Sequence, residues 1–229
     1  MSSQAKSFDK VWEDLYGNGL QIRCPYDFVA SFIYRNAPKN AQRQDVKILE
    51  VGCGTGNNLW FLAGEGFDVY GIDGSEAAVK SAQKRFADSK LNGDLKIGDF
   101  TKLEFADNTF DCVIDRGALT CCGTTAMKKA IAEIHRVNKK GGFFLYNPIA
   151  DSDSSYRASE VDSEGLSTSI KGGDFAGVGQ IRFVSRREVD EFLPKEKWDI
   201  QRLERVEIQD MLNATGKTVA SWRVESKKI

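Results

Sequence analysis

Residues 47–59 read KILEVGCGTGNNL, and this stretch decides the fold. Its first five residues are mostly apolar and predict a short buried strand. Glycines follow at alternate positions, as Gly52, Gly54 and Gly56, and lead directly into a helical pattern. Because glycine allows positive φ and has no side chain, backbone amides at the start of that helix can come within contact distance of a ligand. The stretch therefore predicts a ligand-binding turn between a strand and a helix.

Strand and helix patterns alternate outward from this turn. Short, nearly all-apolar strands are predicted at residues 47–51, 68–72, 94–97, 110–114 and 143–146, with helices at 58–64, 75–87 and 125–137 between them. A further helix at 185–193, with Ser185 as the N-cap and Glu188 as its capping-box partner, precedes two more strands, at 198–208 and 218–225. This alternation indicates a parallel sheet covered on both faces. We predict an α/β fold with a doubly wound, mostly parallel, seven-stranded sheet and helices on both faces.

The chain of 229 residues suits a single domain, residues 1–229. Phe8, Trp12 and Tyr16 have the spacing of one helical face, which predicts an N-terminal helical cap within residues 1–40. Residues 149–180 are rich in Ser, Asp and Gly and show weak periodicity. Because loops of this length in compact domains are usually functional or mobile, we expect a lid or substrate-binding loop there.

The composition of the chain limits the kinds of binding partner that we expect. Lys and Arg total 32 against 33 for Asp and Glu, so the net charge of -1 gives no reason to expect nucleic acid or an anionic membrane as a partner. No apolar run approaches the roughly 20 residues of a membrane span, and the first ten residues are polar, which predicts a cytoplasmic protein.

The five cysteines suit reduced thiols, and their spacing predicts no metal site. Oligomeric state is not predicted.

An acidic residue ends the second predicted strand. Asp73 lies 17 positions after Gly56, the length of a helix and a strand, where a carboxylate can accept hydrogen bonds from both hydroxyls of a ribose. The dinucleotide fingerprint G-x-G-x-x-G would require a glycine at Asn57. The pattern is G-x-G-x-G instead, which argues against the dinucleotide NAD and favours a different ligand that contains a nucleoside.

Preceded by Glu50, this glycine pattern resembles the first motif of the class I S-adenosylmethionine-dependent methyltransferases. Four further segments resemble that family in the same order, at residues 70–75, 95–100, 107–117 and 132–143. The resemblance covers about residues 46–147. It implies a Rossmann-like methyltransferase fold and S-adenosyl-L-methionine as the cofactor.

The resemblance also implies where the cofactor binds. Asp73 is expected at the ribose, Asp99 at the adenine amino group, Phe100 beside the adenine ring, and the backbone after the fourth strand along the methionine part. Arg23 has the rigid two-pronged donor that suits the methionine carboxylate, although a solvated position stays open. Trp12 either covers the cofactor or simply covers the core. The full set of expected cofactor-binding residues is Trp12, Arg23, Glu50, Gly52, Cys53, Gly54, Gly56, Asn58, Asp73, Gly74, Ser75, Asp99, Phe100, Arg116 and Gly117.

The methyl acceptor is less clearly marked. An alcohol acceptor must lose its proton, and the only histidine, His135, lies in a helix expected to be structural. Asp115, Asp151 and Tyr156 are weak candidates for a catalytic role. We expect a methyltransferase of a small molecule, acting on an oxygen of a sugar or hydroxylated metabolite. The alternatives are an N- or C-methyltransferase of another metabolite and a non-catalytic regulatory subunit that binds S-adenosylmethionine.

Overall fold

The computed structural model describes residues 7–212 and 216–229. Its described residues form one seven-stranded sheet in the order β3-β2-β1-β4-β5-β9-β8. The first five strands in this order are parallel, and β9 and β8 add to the end as an antiparallel pair. The strands of the sheet are β1 (Lys47–Val51), β2 (Asp68–Asp73), β3 (Asp94–Ile97), β4 (Phe110–Asp115), β5 (Asn138–Tyr146), β8 (Trp198–Gln209) and β9 (Thr218–Lys228). The predicted fold class is confirmed.

Helices cover both faces of the sheet. They are α1 (Val11–Gly17), α2 (Asp27–Asn36), α3 (Asn57–Gly64), α4 (Glu76–Asp88), α5 (Thr124–Val137) and α6 (Arg186–Phe192). Side chains alternate along each strand, so that Ile48 of β1 packs in one core with α2, α3 and α4. Its neighbour Leu49 packs in a second core with α5 and α6. This two-sided burial explains why the central strands are nearly all apolar.

Capping side chains define the first residues of helices α4 and α6. Ser75 begins α4 because its hydroxyl accepts a hydrogen bond from the Ala78 amide at 3.0 Å. At α6, Ser185 and Glu188 form the capping box that the sequence predicted. Two strand boundaries differ from the prediction by three residues or more, since β5 starts at residue 138 and β9 ends at residue 228. The pairing of β4 with β5 shifts register between Phe110 and Cys112. This irregularity lets β5 continue through its two consecutive glycines, Gly141 and Gly142.

The predicted N-terminal cap contains two unlike helices. Helix α2 buries Val29, Phe32 and Ile33 and belongs to the core. Helix α1 has no fully buried residue over its whole described length. Residues 1–6 of the predicted cap lie outside the described residues.

Residues 149–180 have more structure than the loop that the sequence predicted. They contain two short paired strands, β6 (Glu160–Val161) and β7 (Ser167–Thr168). Ile170 packs with Ile181 and Phe183 in a small third core. Strands of two residues are too short to give a periodic pattern, which is why the sequence did not reveal them.

Within the described ranges, no helix combines the length and the hydrophobicity of a membrane-spanning segment. All five cysteines lie in the described part of the chain and are free thiols.

Candidate functional site

A cavity opens where β1, β2 and β4 end at the carboxyl edge of the sheet, and helix α1 lies across it. In a doubly wound sheet this edge is where ligands bind. The residues lining the cavity come from the N-terminal segment, the glycine-rich turn, the end of β2 and the turn after β4. They are Ser7, Phe8, Asp9, Trp12, Tyr16, Leu20, Ile22, Tyr26, Glu50, Gly52, Cys53, Gly54, Thr55, Asn57, Asn58, Asp73, Gly74, Phe100, Arg116, Gly117, Ala118 and Cys121.

The three glycines of the turn serve different contacts, although all have positive φ. A Cβ atom on Gly52 would lie 2.1 Å from the Cβ of Ala118, and one on Gly54 would lie 2.8 Å from the phenolic oxygen of Tyr16. Gly56 is outside the cavity lining, and a Cβ atom there would lie 3.1 Å from the Cβ of Ala82 on α4. Two glycines therefore shape the cavity wall, and the third lets α3 pack closely on α4.

Asp73 is fixed against the glycine-rich turn. It is 8% exposed, and its two carboxylate oxygens accept hydrogen bonds from the amides of Gly54 and Ser75, both at 2.8 Å. Burial raises the pKa of Asp73, and the two amide hydrogen bonds act in the opposite direction. Each carboxylate oxygen keeps a second lone pair. The side chain is thus a rigid acceptor at the cavity wall.

Glu50 and Arg116 each bring a polar atom without a described partner to the same cavity. Glu50 is 2% exposed; its Oε1 accepts a hydrogen bond from Asn58 at 2.7 Å, and its Oε2 has no partner among the described residues. Burial raises the pKa of Glu50 to about 8, against the lowering effects of Asn58 and Arg116. The Arg116 guanidinium lies 3.7 Å from the centre of the Tyr26 ring, and its Nε is also without a described partner. An acid and a guanidinium in one cavity suit a ligand that carries both an ammonium and a carboxylate.

The N-terminal segment is held over the cavity by polar contacts at three places. Ser7 donates a hydrogen bond to Asp99 at 3.0 Å, and Asp9 accepts one from the amide of Gln180 at 2.9 Å. Glu13 accepts from the Ser75 hydroxyl at 2.5 Å and from the Ala77 amide at 3.3 Å, at the N-terminus of α4. Trp12 and Tyr16 of the same helix line the cavity. The sequence leaves open whether Trp12 covers a cofactor or the core, and the structure places it at the cavity.

Four of the expected cofactor-binding residues lie outside the cavity lining: Arg23, Gly56, Ser75 and Asp99. Arg23 is exposed, because its neighbours Ile22 and Cys24 are docked by their carbonyl groups, which accept hydrogen bonds from Arg85 and Asn57. Ser75 caps α4. Asp99 is exposed and accepts from Thr101 and Ser7 at the rim. The remaining eleven line one cavity.

The three weak catalytic candidates do not line the cavity. Asp115 is fully buried, and its Oδ1 accepts hydrogen bonds from the amides of Ala118 and Leu119. Burial raises its pKa to about 6. Asp151 lies beyond the end of β5, and the ring of Tyr156 packs against Phe183 at 5.2 Å between centroids. A general base at any of the three would need contact with the acceptor, which this arrangement does not provide.

Several lining residues carried no sequence signal strong enough to predict them. They are Ser7, Phe8, Asp9, Leu20, Ile22, Tyr26, Thr55, Asn57, Ala118 and Cys121. Most come from irregular backbone, where neither the helix nor the strand period applies. Nowhere in the described ranges do three His, Cys, Asp or Glu side chains form a cluster that could hold a metal ion.

Residues 48–142 match a family model described as a methyltransferase domain. A putative methyltransferase of Geobacillus sp. is 28% identical over 156 residues, which cover 66% of this chain and 60% of that protein. A demethylmenaquinone methyltransferase of Renibacterium salmoninarum is 38% identical over 96 residues, 42% of this chain and 38% of the relative. The chain thus spans less than two thirds of the length of these relatives.

A solved structure of a methyltransferase from Methanosarcina mazei superposes with a TM-score of 0.70 at 21% identity. The superposition covers 90% of this chain and 99% of the other. At that identity the likeness concerns the fold.

Proposed function

We propose that this chain, in which residues 48–142 match a methyltransferase domain, binds S-adenosyl-L-methionine in the cavity as a class I methyltransferase and transfers its methyl group to a small molecule. One observation carries the proposal. Glu50, Asp73 and the positive-φ glycines Gly52 and Gly54, which belong to two separate sequence motifs, line a single cavity at the carboxyl edge of the sheet.

The residues present suit the groups of this cofactor. Asp73 offers two fixed carboxylate oxygens to the ribose hydroxyls. The unpartnered Oε2 of Glu50 would accept from the ammonium, and Arg116 would bind the carboxylate of the methionine part. Phe8 and Phe100 offer apolar contacts to the adenine ring. In this assignment Arg116 binds the methionine carboxylate, which was expected to bind Arg23. Asp99 approaches the adenine from the rim of the cavity.

The bound cofactor supplies an electrophilic methyl group on a positively charged sulfur. The chain's own contribution is to orient the reactants and to keep water away. Trp12 and Tyr16 cover the cavity with aromatic surface, and the turn after β4 forms the opposite wall. Alignment of this kind can lower a barrier by as much as roughly 7–11 kcal/mol.

We propose an oxygen of a hydroxylated metabolite as the acceptor atom. Three carboxylates line the cavity, Asp9, Glu50 and Asp73. The cofactor assignment uses Glu50 and Asp73, which leaves Asp9 to accept the hydroxyl proton. A small acceptor agrees with the name of the demethylmenaquinone methyltransferase relative. We place the reaction in the cytoplasm, with no nucleic acid or membrane as a partner.

Transfer to nitrogen or carbon is the main alternative, since either acceptor would use the same cavity without needing Asp9 to remove a hydroxyl proton. A chain that binds the cofactor without turnover is the other, and it predicts tight binding with no methylated product.

The test is incubation of the purified chain with isotope-labelled S-adenosylmethionine and fractionated cell metabolites, followed by mass spectrometry. We expect one labelled small molecule with the label on oxygen, and no label with the D73A variant. Label on nitrogen or carbon would correct the acceptor. Absence of any labelled product, with cofactor binding intact, would favour the regulatory alternative.

A further inference from the structure

Asp115 is the last residue of β4, at the centre of the sheet. It is paired in register with Val51 of β1 and Tyr146 of β5, so it lies level with the ends of both neighbouring strands. The side chain is fully buried and does not line the cavity. A buried carboxylate is costly unless it is hydrogen-bonded, so its partners indicate its task.

Those partners belong to the turn that forms one cavity wall. Oδ1 of Asp115 accepts hydrogen bonds from the amides of Ala118 at 2.8 Å and Leu119 at 3.0 Å. The turn from Asp115 to Ala118 passes through Gly117 at a φ of +71°, a conformation that glycine adopts without a steric penalty. One carboxylate oxygen thus closes the turn that carries Arg116, Gly117 and Ala118 along the cavity.

The same turn touches the glycine-rich loop. The Cβ atom of Ala118 occupies the space that a Cβ atom on Gly52 would need, 2.1 Å away. Since interiors are close-packed, any shift of Ala118 moves against Gly52 or opens a gap beside it. The hydrogen bond from Ala118 to Asp115 therefore sets the spacing between the two walls of the cavity.

We propose that Asp115 is a positioning residue that holds the turn after β4 against the glycine-rich loop, and so fixes the width of the site where cofactor and acceptor meet. This inference rests on the proposed function. It replaces the catalytic role that the sequence suggested for Asp115, because the side chain does not line the cavity and its Oδ1 binds backbone amides of the turn instead.

The test compares Asp115→Ala and Asp115→Asn by calorimetric titration with S-adenosylhomocysteine, the demethylated form of the cofactor. Asparagine keeps an oxygen at the Oδ1 position and alanine removes it. We expect the D115A variant to bind at least tenfold more weakly than the unmodified chain and the D115N variant to bind within about threefold of it. A tenfold loss is the effect of about 1.4 kcal/mol.

Asp153 supplies a matched control. It is also fully buried, and its carboxylate oxygens accept hydrogen bonds from the amides of Ser155 and Ala220, away from the cavity. We expect Asp153→Ala to lower the free energy of unfolding while the affinity for S-adenosylhomocysteine changes by less than twofold. A loss of affinity in D153A equal to that in D115A would overturn the proposal, because general destabilisation would then account for both.

Hydrogen exchange gives a second readout that does not depend on affinity. The amides of Ala118 and Leu119 should exchange faster in the D115A variant than in the D115N variant, while the β1 amides stay protected. Equal exchange of the two amides in both variants would contradict the proposal. If the unmodified chain does not bind S-adenosylhomocysteine at all, the proposed function fails, and hydrogen exchange still decides the role of Asp115 in the turn.

Discussion

At the scale of single residues, the turn at residues 52–56 shows why glycine is required. Gly52 combines a φ of +65° with the close approach of Ala118, whereas Gly177 has a φ of +75° and no atom of the described residues within 4 Å of an added Cβ. An alanine at either position would strain the backbone, but only an alanine at position 52 would also clash with a neighbouring side chain.

We expect Gly52→Ala to lower the free energy of unfolding by more than Gly177→Ala does. Strain alone costs about 1–2 kcal/mol at a left-handed position, and only Gly52 adds a clash, with Ala118 in the cavity wall. Urea unfolding of the two variants measures the difference. Equal losses would show that the contact with Ala118 is relieved without cost.

Glu50 predicts an unusual pH dependence. Burial raises the pKa of Glu50 to about 8 in the folded chain, whereas its ordinary value is 4.5. Between pH 4.5 and pH 8, the folded chain therefore holds a proton that the unfolded chain has lost. Stability must then fall as the pH rises through this window, by at most about 1.4 kcal/mol per pH unit for one proton.

Glu50→Gln removes this titration and keeps the oxygen that accepts from Asn58. We therefore expect the stability of the variant relative to the unmodified chain to increase from pH 5 to pH 8 in urea unfolding. A difference that stays constant over that range would contradict the burial argument.

Sequence reasoning succeeded for residues whose task is set by local backbone. Gly52, Gly54, Glu50 and Asp73 follow directly from the strand ends that carry them, and all four line one cavity, whereas Gly56 packs against α4. It did not place Arg23, because the docking of its neighbours by Arg85 and Asn57 depends on contacts with distant segments.

At the scale of elements, helix α1 is held at the cavity by its polar contacts, since none of its residues is fully buried. Glu13 accepts hydrogen bonds at the N-terminus of α4, where the helix dipole favours a negative charge. If cofactor exchange requires α1 to move away from the cavity, this contact has to break.

We expect Glu13→Gln to speed the dissociation of S-adenosylhomocysteine by roughly two- to fivefold, the usual effect of one charge at a helix N-terminus. Stopped-flow displacement measures the rate. Glu76→Gln is the control, because Glu76 lies in the first turn of the same helix and pairs with Lys80 instead. An equal effect of both changes would mean that the contact between α1 and α4 does not control exchange.

A buried ion pair anchors the chain just after residues 149–180. Arg182 is 5% exposed, pairs with Glu188 of α6, and donates to Thr124 and to the carbonyl of Glu164, both at 2.6 Å. Removing Arg182 takes these charged donors from Thr124 and Glu164, whereas Glu188 keeps its hydrogen bonds from Ser185.

Arg182→Ala is expected to lower the free energy of unfolding by about 1.5–3 kcal/mol, the effect of losing hydrogen bonds to a charged group. The exposed pair of Arg186 and Asp190 is the matched control, and Arg186→Ala should cost less than about 1 kcal/mol. Thermal or urea unfolding decides, and similar losses in the two variants would contradict a special role for the buried pair.

Strands and helices with several turns or a buried face were predictable, because hydrophobic period and capping residues specify them locally. The capping box at Ser185 and Glu188 is an example. The hairpin of β6 and β7 was not, since two residues give no period and its pairing depends on contacts with the rest of the fold.

At the scale of the whole molecule, five ordered segments carried the resemblance to class I methyltransferases, and the match of residues 48–142 to a methyltransferase domain agrees with it. The parts that complete the cavity, helix α1 and the loops beside it, lie outside the matched range. They are where the acceptor is recognised in our proposal, and the acceptor is accordingly the least predictable part of the function.

The central claim is that the cavity roofed by α1 is built for an adenosine joined to an amino acid. Isothermal titration of the folded chain with S-adenosylhomocysteine tests it most directly. We expect one molecule bound per chain, and binding at least tenfold weaker in Asp73→Ala. A folded chain that takes up NADH but not S-adenosylhomocysteine would contradict the claim.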